Sequence, residues 1–238
     1  GFILTPEVTN CVSVSRRHQQ SVLCLEADDP TLAGLRAEAA ALEVWLSIGS
    51  LALQTDDPDG RFANRSFVIN PAGDIVARYD KIHMFDVEVS EAETYRESAG
   101  YRPGNRAVMA QTPFGQLGLS ICYDLRFAYL YRALAQAGAN ILLVPSAFSP
   151  VTGAAHWQPL LQSRAIETGC YVLAAAQTGD HGGRETYGHS MAVSPWGEVL
   201  LDAGTTKSVS IVDINPHAVS DARKRIAALS HDRTFEGP

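Results

Sequence analysis

A thiol, an ammonium and a carboxylate each close an apolar run in this chain. Cys122 sits in GLSICYDLRF (118–127), where an apolar stretch gives way to charge. Glu7 directly follows FILTP, and Lys81, in ARYDKIHMFD, stands between apolar and aromatic neighbours instead of in a run of charge. A cysteine attacks as its thiolate, and a free thiol of pKa about 8.5 is only partly ionised at neutral pH. Nucleophilic chemistry at Cys122 therefore needs a base, a nearby cation or a helix N-terminus. Each residue also has a plain structural reading. Free cysteines are among the most often buried residues, a carboxylate after a strand is a polar residue leaving the core, and a lysine there can snorkel. Histidine, the usual partner of a thiol, does not decide between them. His18, His181, His217 and His231 lie in polar, loop-like or terminal contexts, while His83, His156 and His189 are better placed but show no catalytic spacing. Gly182-Gly183 reads as a flexible turn.

The elements that must position these groups are legible from pattern. Phe2–Thr5 reads as a buried strand and is followed by a long polar stretch. Asp29-Pro30-Thr31 starts a helix over Thr31–Val44 with apolar positions at Leu32, Leu35, Ala39 and Leu42. WLSIGSLAL (45–53) is a core strand, and Arg65–Asn70 with Ile75–Tyr79 form a hairpin across Pro71-Ala-Gly-Asp74. Leu117–Cys122 is a strand, Phe127–Gln136 a helix ending at Gly138, and Ile141–Val144 a strand closed by Pro145. His156–Gly169 reads as helix, Tyr171–Ala176 as strand, and Gly188–Ser194 with Val199–Leu201 as a second hairpin. Crossover units and hairpins together predict mixed sheets carrying helices on their outer faces. Cys122 then falls at a strand end before a helix, where α/β sheets place ligands.

Length and composition bound the function. The 238 residues suit one domain, and a hydrophobic fraction of 46% with 19% charged residues is ordinary for a globular protein. A formal charge of −7 argues against nucleic-acid binding, so an anionic substrate would need locally placed cations. Cys11, Cys24, Cys122 and Cys170 show neither zinc-ligand nor disulfide-framework spacing, which makes a reducing cytoplasm the simplest location. No apolar run reaches the roughly 20 residues that span a bilayer, so no membrane association is expected. A core strand at the first residue suggests that an N-terminal portion precedes this sequence.

The carboxylate, ammonium and thiol at three strand ends resemble the Glu-Lys-Cys triad of the nitrilase, or carbon–nitrogen hydrolase, superfamily. LTPE is similar to the segment carrying the family's general-base glutamate, here Glu7. RYDKIHMFD is similar to its lysine motif and ICYDLRF to its nucleophile motif, giving Lys81 and Cys122. YRESAGYRPG resembles the segment of the second glutamate, here Glu97, and PSAF, TGAAHWQPLLQSRAIE and YGHSMAVSPWGEVL continue the likeness downstream. Four motifs in order over more than a hundred residues are hard to attribute to core packing.

The resemblance implies a mixed α/β fold, a four-layer α-β-β-α sandwich of the nitrilase type, lacking here its N-terminal strand and helix. It implies a single carbon–nitrogen hydrolase domain over residues 1–238, no cofactor or metal, a small-molecule amide substrate, and a homodimer or higher homo-oligomer. Cys122 would attack an amide-type carbon, Lys81 and the Tyr123 backbone N–H would stabilise the oxyanion, and Glu7 would serve as base and then acid. Glu97 would position Lys81. Phe148 is read as a pocket wall, Arg126 and Arg164 as structural residues or substrate contacts, and Asp124 as the partner of Arg126, or of Arg164 with Glu167, in a salt-bridged turn. The branch acting on deaminated glutathione is the nearest likeness. Alternatives are an ω-amidase acting on α-ketoglutaramate, an N-carbamoyl or aliphatic amide hydrolase, and a non-catalytic metabolite-binding relative. One departure is local: the family commonly has Pro-Glu after the RF of the nucleophile motif, where this chain has Ala128-Tyr129. That removes a helix start signal and a favourable charge near a helix N-terminus, worth about 0.3–1 kcal/mol.

Overall fold

A computed structural model describes residues 1–90 and 93–237. Two sheets carry the fold. The first has the order β1 (Phe2–Leu4), β2 (Trp45–Leu53), β3 (Ala63–Ile69), β4 (Ile75–Asp80), with β1 parallel to β2 and the other pairs antiparallel. After the short hairpin β5 (Asp86–Ser90) and β6 (Glu93–Arg96) come β7 (Met109–Thr112), β8 (Gly115–Leu119), β9 (Ile141–Leu143) and β10 (Tyr171–Ala174). A second hairpin, β11 (Thr178–Asp180) with β12 (Glu185–Tyr187), precedes β13 (Met191–Val193) and β14 (Val199–Asp202). The second large sheet runs β14-β13-β10-β9-β8-β7, parallel across β8, β9 and β10 and antiparallel elsewhere. The helices are α1 (Arg16–Val22), α2 (Pro30–Ala41), α3 (Ala128–Gln136), α4 (Pro150–Thr168) and α5 (His217–Arg225).

The strand period of two decides the layering. Along β3, Phe67 and Ile69 point outward to join Leu32 and Ala39 of α2, together with Leu46, Ile48, Leu51 and Leu53 of β2. Val68, between them, points the other way into a larger core shared with Tyr79, Leu117, Leu119 and Leu142. That core continues through Leu130 and Leu134 of α3 and Trp157, Leu161 and Ala165 of α4 on the far side. The layers are therefore α2, first sheet, second sheet, then α3 with α4, an α-β-β-α sandwich. β2 is covered on both faces, which explains why it is mostly apolar and why its two serines, Ser47 and Ser50, are buried.

Several boundaries differ from expectation for identifiable reasons. β1 is a half-buried edge strand, not a core strand. β8 stops at Leu119, so Cys122 lies three residues beyond the ladder. α4 begins at Pro150 instead of His156, because Ser149-Pro150 is a helix start of the N-cap and N1 kind, and Pro159 is tolerated on the exposed face. α3 starts at Ala128 without proline and without a side-chain cap at Phe127.

Candidate active site

Glu7 is placed by backbone docking. β2 breaks register between Ile48 and Leu51, and at this bulge Gly49 lets the chain after β1 approach: a Cβ on Gly49 would lie 2.1 Å from the Thr5 carbonyl oxygen and 2.5 Å from that of Pro6. Ser50 then secures the turn, its Oγ accepting from Val8 N at 2.8 Å and its carbonyl from Thr9 N at 2.8 Å. The carboxylate so delivered is 4% exposed. Its Oε1 accepts from Asn64 Nδ2 at 2.8 Å and Lys81 Nζ at 2.9 Å, and its Oε2 from Ala147 N at 2.8 Å. Burial opposes the charge, but the Lys81 ammonium, Arg184 and the Asn64 amide outweigh it and hold the Glu7 pKa below the ordinary carboxylate value.

Lys81 follows β4 and is 2% exposed, so its charge needs partners. Besides Glu7 it donates to Glu97 Oε1 at 2.9 Å, and the other Glu97 oxygen accepts from Phe85 N at 2.6 Å. Burial disfavours the ammonium, yet the Glu7 and Glu97 carboxylates reverse this and raise the Lys81 pKa well above its usual value. Two of its three N–H groups are thus spent on carboxylates.

Cys122 opens a 3-10 turn (Cys122–Arg126) with φ +49°, a left-handed conformation that costs a non-glycine residue about 1–3 kcal/mol. Its backbone N–H donates to Pro145 O at 2.9 Å, and Asp124 supplies the rest of the restraint. Asp124 is 0% exposed and accepts four hydrogen bonds: Tyr79 Oη at 2.6 Å, Ile121 N at 2.9 Å, His83 N at 3.0 Å and His83 Nδ1 at 2.6 Å. The salt-bridged turn expected with Arg126 or Arg164 is replaced by this phenol and imidazole pair. His83 stacks on Phe127 with centroids 3.5 Å apart, and its Nε2 meets the Tyr129 hydroxyl. The residue standing in the family's glutamate position therefore joins the scaffold of the nucleophile turn.

Burial pushes the Cys122 thiol pKa up, the Glu7 carboxylate adds to that, and the Lys81 charge only partly offsets them. At this sulfur, burial and the Glu7 carboxylate outweigh the lysine charge. Attack at this sulfur requires proton removal as the bond forms, and Glu7 is the ionised group beside it.

Glu7, Lys81, Glu97, Cys122, Tyr123 and Phe148 all line one cavity of about 460 Å³. The Tyr123 N–H belongs to the first turn after Cys122, where backbone donors lack helical partners. Phe148 is buried and packs on Trp157 at 4.9 Å. Arg126 and Arg164 are not among the lining residues. Arg126 reaches His156 Nδ1 at 3.3 Å, and Arg164 bonds Leu125 O at 2.9 Å and Glu167 at 2.8 Å. Asn64, Arg16 and Arg184 also line the cavity and give no signal in the sequence: Asn64 sits inside a strand, and Arg16 and Arg184 fall in polar stretches with no apolar pattern, while Arg96 lies within YRESAGYRPG, where only Glu97 is singled out. Among the described residues no group of three or more His, Cys, Asp or Glu side chains converges as metal ligands, and no helix is long and apolar enough to cross a membrane.

Comparison with known proteins agrees with this geometry. The deaminated glutathione amidase of Yersinia enterocolitica is 39% identical over 238 residues, spanning 98% of this chain and 82% of the relative. That of Dictyostelium discoideum is 47% identical over 194 residues, 80% of this chain and 67% of its own. The C. elegans NitFhit structure superposes with TM-score 0.87 at 35% identity, covering 98% of this chain and 57% of that one. An amidase from Nesterenkonia sp. AN1, solved after Michael addition of acrylamide at its active-site cysteine, gives TM-score 0.75 at 25% identity over 95% of this chain and 84% of its own. The sequence model of the carbon–nitrogen hydrolases matches residues 1–224, and with these relatives it shows that the chain belongs to the carbon–nitrogen hydrolase family.

Proposed function

We propose that this hydrolase is an amidase that cleaves a linear amide through a thioester on Cys122, with deaminated glutathione as its substrate. Glu7 takes the Cys122 proton as sulfur adds to the amide carbon. The carbonyl oxygen gains the electron pair and is met by the Lys81 ammonium and the Tyr123 N–H. Collapse breaks the C–N bond, and Glu7 passes its proton to the departing amine or ammonia. Water then gives a proton to Glu7 and its oxygen to the thioester carbon; C–S cleavage restores the thiol with that proton. Glu97 holds Lys81 in place throughout.

The observation that carries the reading is the buried Glu7–Lys81 ion pair at 2.9 Å, which lines the same cavity as Cys122. A base is then present where the thiol needs one. The substrate choice rests on the relatives named deaminated glutathione amidase. We propose in addition a homo-oligomer resident in the cytoplasm; light scattering and cell fractionation test those two points, and a monomer or a secreted protein would contradict them.

The test is amide cleavage of deaminated glutathione, read as the freed cysteinylglycine amine, beside ammonia release from α-ketoglutaramate, N-carbamoyl amino acids and simple aliphatic amides. The expected result is highest kcat/KM on deaminated glutathione. Preference for any other member of the set overturns the substrate, and carbon dioxide as a co-product would mark carbamoyl cleavage.

A further inference from the structure

The chain carries a formal charge of −7, yet the catalytic cavity inverts that sign. Its described charged lining residues are four cations, Arg16, Lys81, Arg96 and Arg184, against two carboxylates, Glu7 and Glu97. Three of the cations are occupied. Lys81 is shared by the two glutamates, Arg96 pairs with Glu88 at 2.8 Å, and Arg16 donates to the Gly100 and Gly60 carbonyls and lies over the Phe62 ring. Arg184 is different. It is half-buried, no described carboxylate lies within 4 Å of its guanidinium, and its one hydrogen bond, to Ala147 O, is stretched to 3.5 Å.

The element carrying Arg184 is built to hold it at the cavity mouth. The β11–β12 hairpin is fixed at its base, where Tyr187 N donates to Phe148 O at 2.9 Å and the Tyr187 ring fills the space a Cβ on Gly153 would need. Thr186 is buried beside it. The tip is Gly182-Gly183, both at positive φ with open space around them, so the residue that follows is aimed by an anchored strand on one side and a compliant turn on the other. A half-buried guanidinium with no described carboxylate beside it can receive a planar anion, which it grips through two parallel N–H groups.

We propose that Arg184 is a specificity-determining residue that receives a carboxylate of the substrate, so that the cavity selects amides carrying a carboxylate over neutral amides. This rests on the amidase reading and names its substrate class. Arg184 is bonded to none of Glu7, Lys81, Glu97 and Cys122 and reaches Glu7 only through its charge, an effect common to every substrate, so the ratio of rates within an acid and neutral pair isolates its contact with the substrate.

Succinamate, glutaramate and adipamate, each beside the isostere with an isopropyl group for the carboxylate, are compared on the wild type, Arg184→Gln and Arg184→Lys. Wild type is expected to favour the acid of at least one pair by tenfold or more in kcat/KM. Arg184→Gln is expected to bring the acid-to-neutral ratio of kcat/KM to about one, mainly through KM on the acid, and Arg184→Lys to restore part of it. Equal loss on both members, or no wild-type preference at any length, overturns the proposal. Calorimetric titration with glutarate separates the two readings if none of the amides is turned over. Tenfold weaker binding by Arg184→Gln supports the anion site although the amidase reading fails on these substrates; equal or absent binding to both proteins overturns it.

Discussion

Asp124→Asn tests whether the phenol and imidazole pair holds the nucleophile turn. Asparagine keeps the shape but only one acceptor oxygen. With that oxygen in the Oδ2 place it still accepts from Tyr79 Oη and Ile121 N, now at 2.6 and 2.9 Å to a neutral group. The new NH2 then faces two former donors, His83 N and Nδ1. The imidazole can move its proton to Nε2 and accept at Nδ1, but the backbone N–H cannot change role. One orphaned donor costs about 1–3 kcal/mol, and loss of charge assistance in the two retained bonds adds about 1 kcal/mol, so we expect roughly 3 kcal/mol less stability. Urea unfolding at neutral pH measures it. Tyr79→Phe alone should cost about 1.5–3 kcal/mol, and the double variant less than the sum, because both act on one network. The loosened turn should also lower kcat by about tenfold to hundredfold through misplacement of the thiol. An Asp124→Asn protein within about 0.5 kcal/mol of wild type would refute the assignment of the turn to Asp124.

Glu7→Gln removes the base but also a carboxylate that pushes the Cys122 thiol up, so turnover is expected to fall about hundredfold or more while alkylation of Cys122 by iodoacetamide, read by peptide mass spectrometry against Cys24, is not slowed; turnover within about twofold of wild type would contradict the role of Glu7 as base. The Glu7 pKa is lowered below 4.5, so the unfolded chain binds more protons than the folded one in acid, and this carboxylate's contribution is present above about pH 4.5 and lost as pH falls through the folded value. Lys81 is raised above 10.5, so its contribution is present below that pH and lost above it. Urea titrations should show a neutral plateau between these limits, with a shallower acid limb in Glu7→Gln. Gly49→Ala places a Cβ 2.1 Å from Thr5 O and 2.5 Å from Pro145 Cβ, between two backbone segments that cannot yield cheaply. We expect a loss of about 3 kcal/mol or failure to fold, by thermal unfolding, and near-normal stability would refute the docking described for Glu7.

The ends of apolar runs were legible because burial changes abruptly there, which is why Glu7, Lys81 and Cys122 stand out in one dimension and meet in three. Trp45–Leu53 was readable to the residue for the same reason, since a strand covered on both faces is apolar at most of its positions. Glu97 had no such contrast; only likeness to a family motif singles it out. Elements that bury little apolar surface left no periodic trace: α1, the hairpins β5–β6 and β11–β12, and α5 with its Arg223-Lys224-Arg225 end. The Arg184 side chain rides on one of these. Asp124 was assigned arginine partners from charge and proximity in sequence, but the sheets bring Tyr79 and His83 to it from more than forty residues away. A tyrosine and a histidine offer no charge cue to a carboxylate, so that pairing was invisible without the fold.

The central claim is that Cys122 forms an acyl-enzyme with Glu7 as its base. Intact-protein and peptide mass spectrometry after rapid acid quench, with deaminated glutathione as substrate, tests it most directly. A keto-acyl adduct on Cys122 formed with release of cysteinylglycine is expected, and neither adduct nor cysteinylglycine from Cys122→Ala. Cysteinylglycine release at the wild-type rate by Cys122→Ala would contradict acylation at this sulfur.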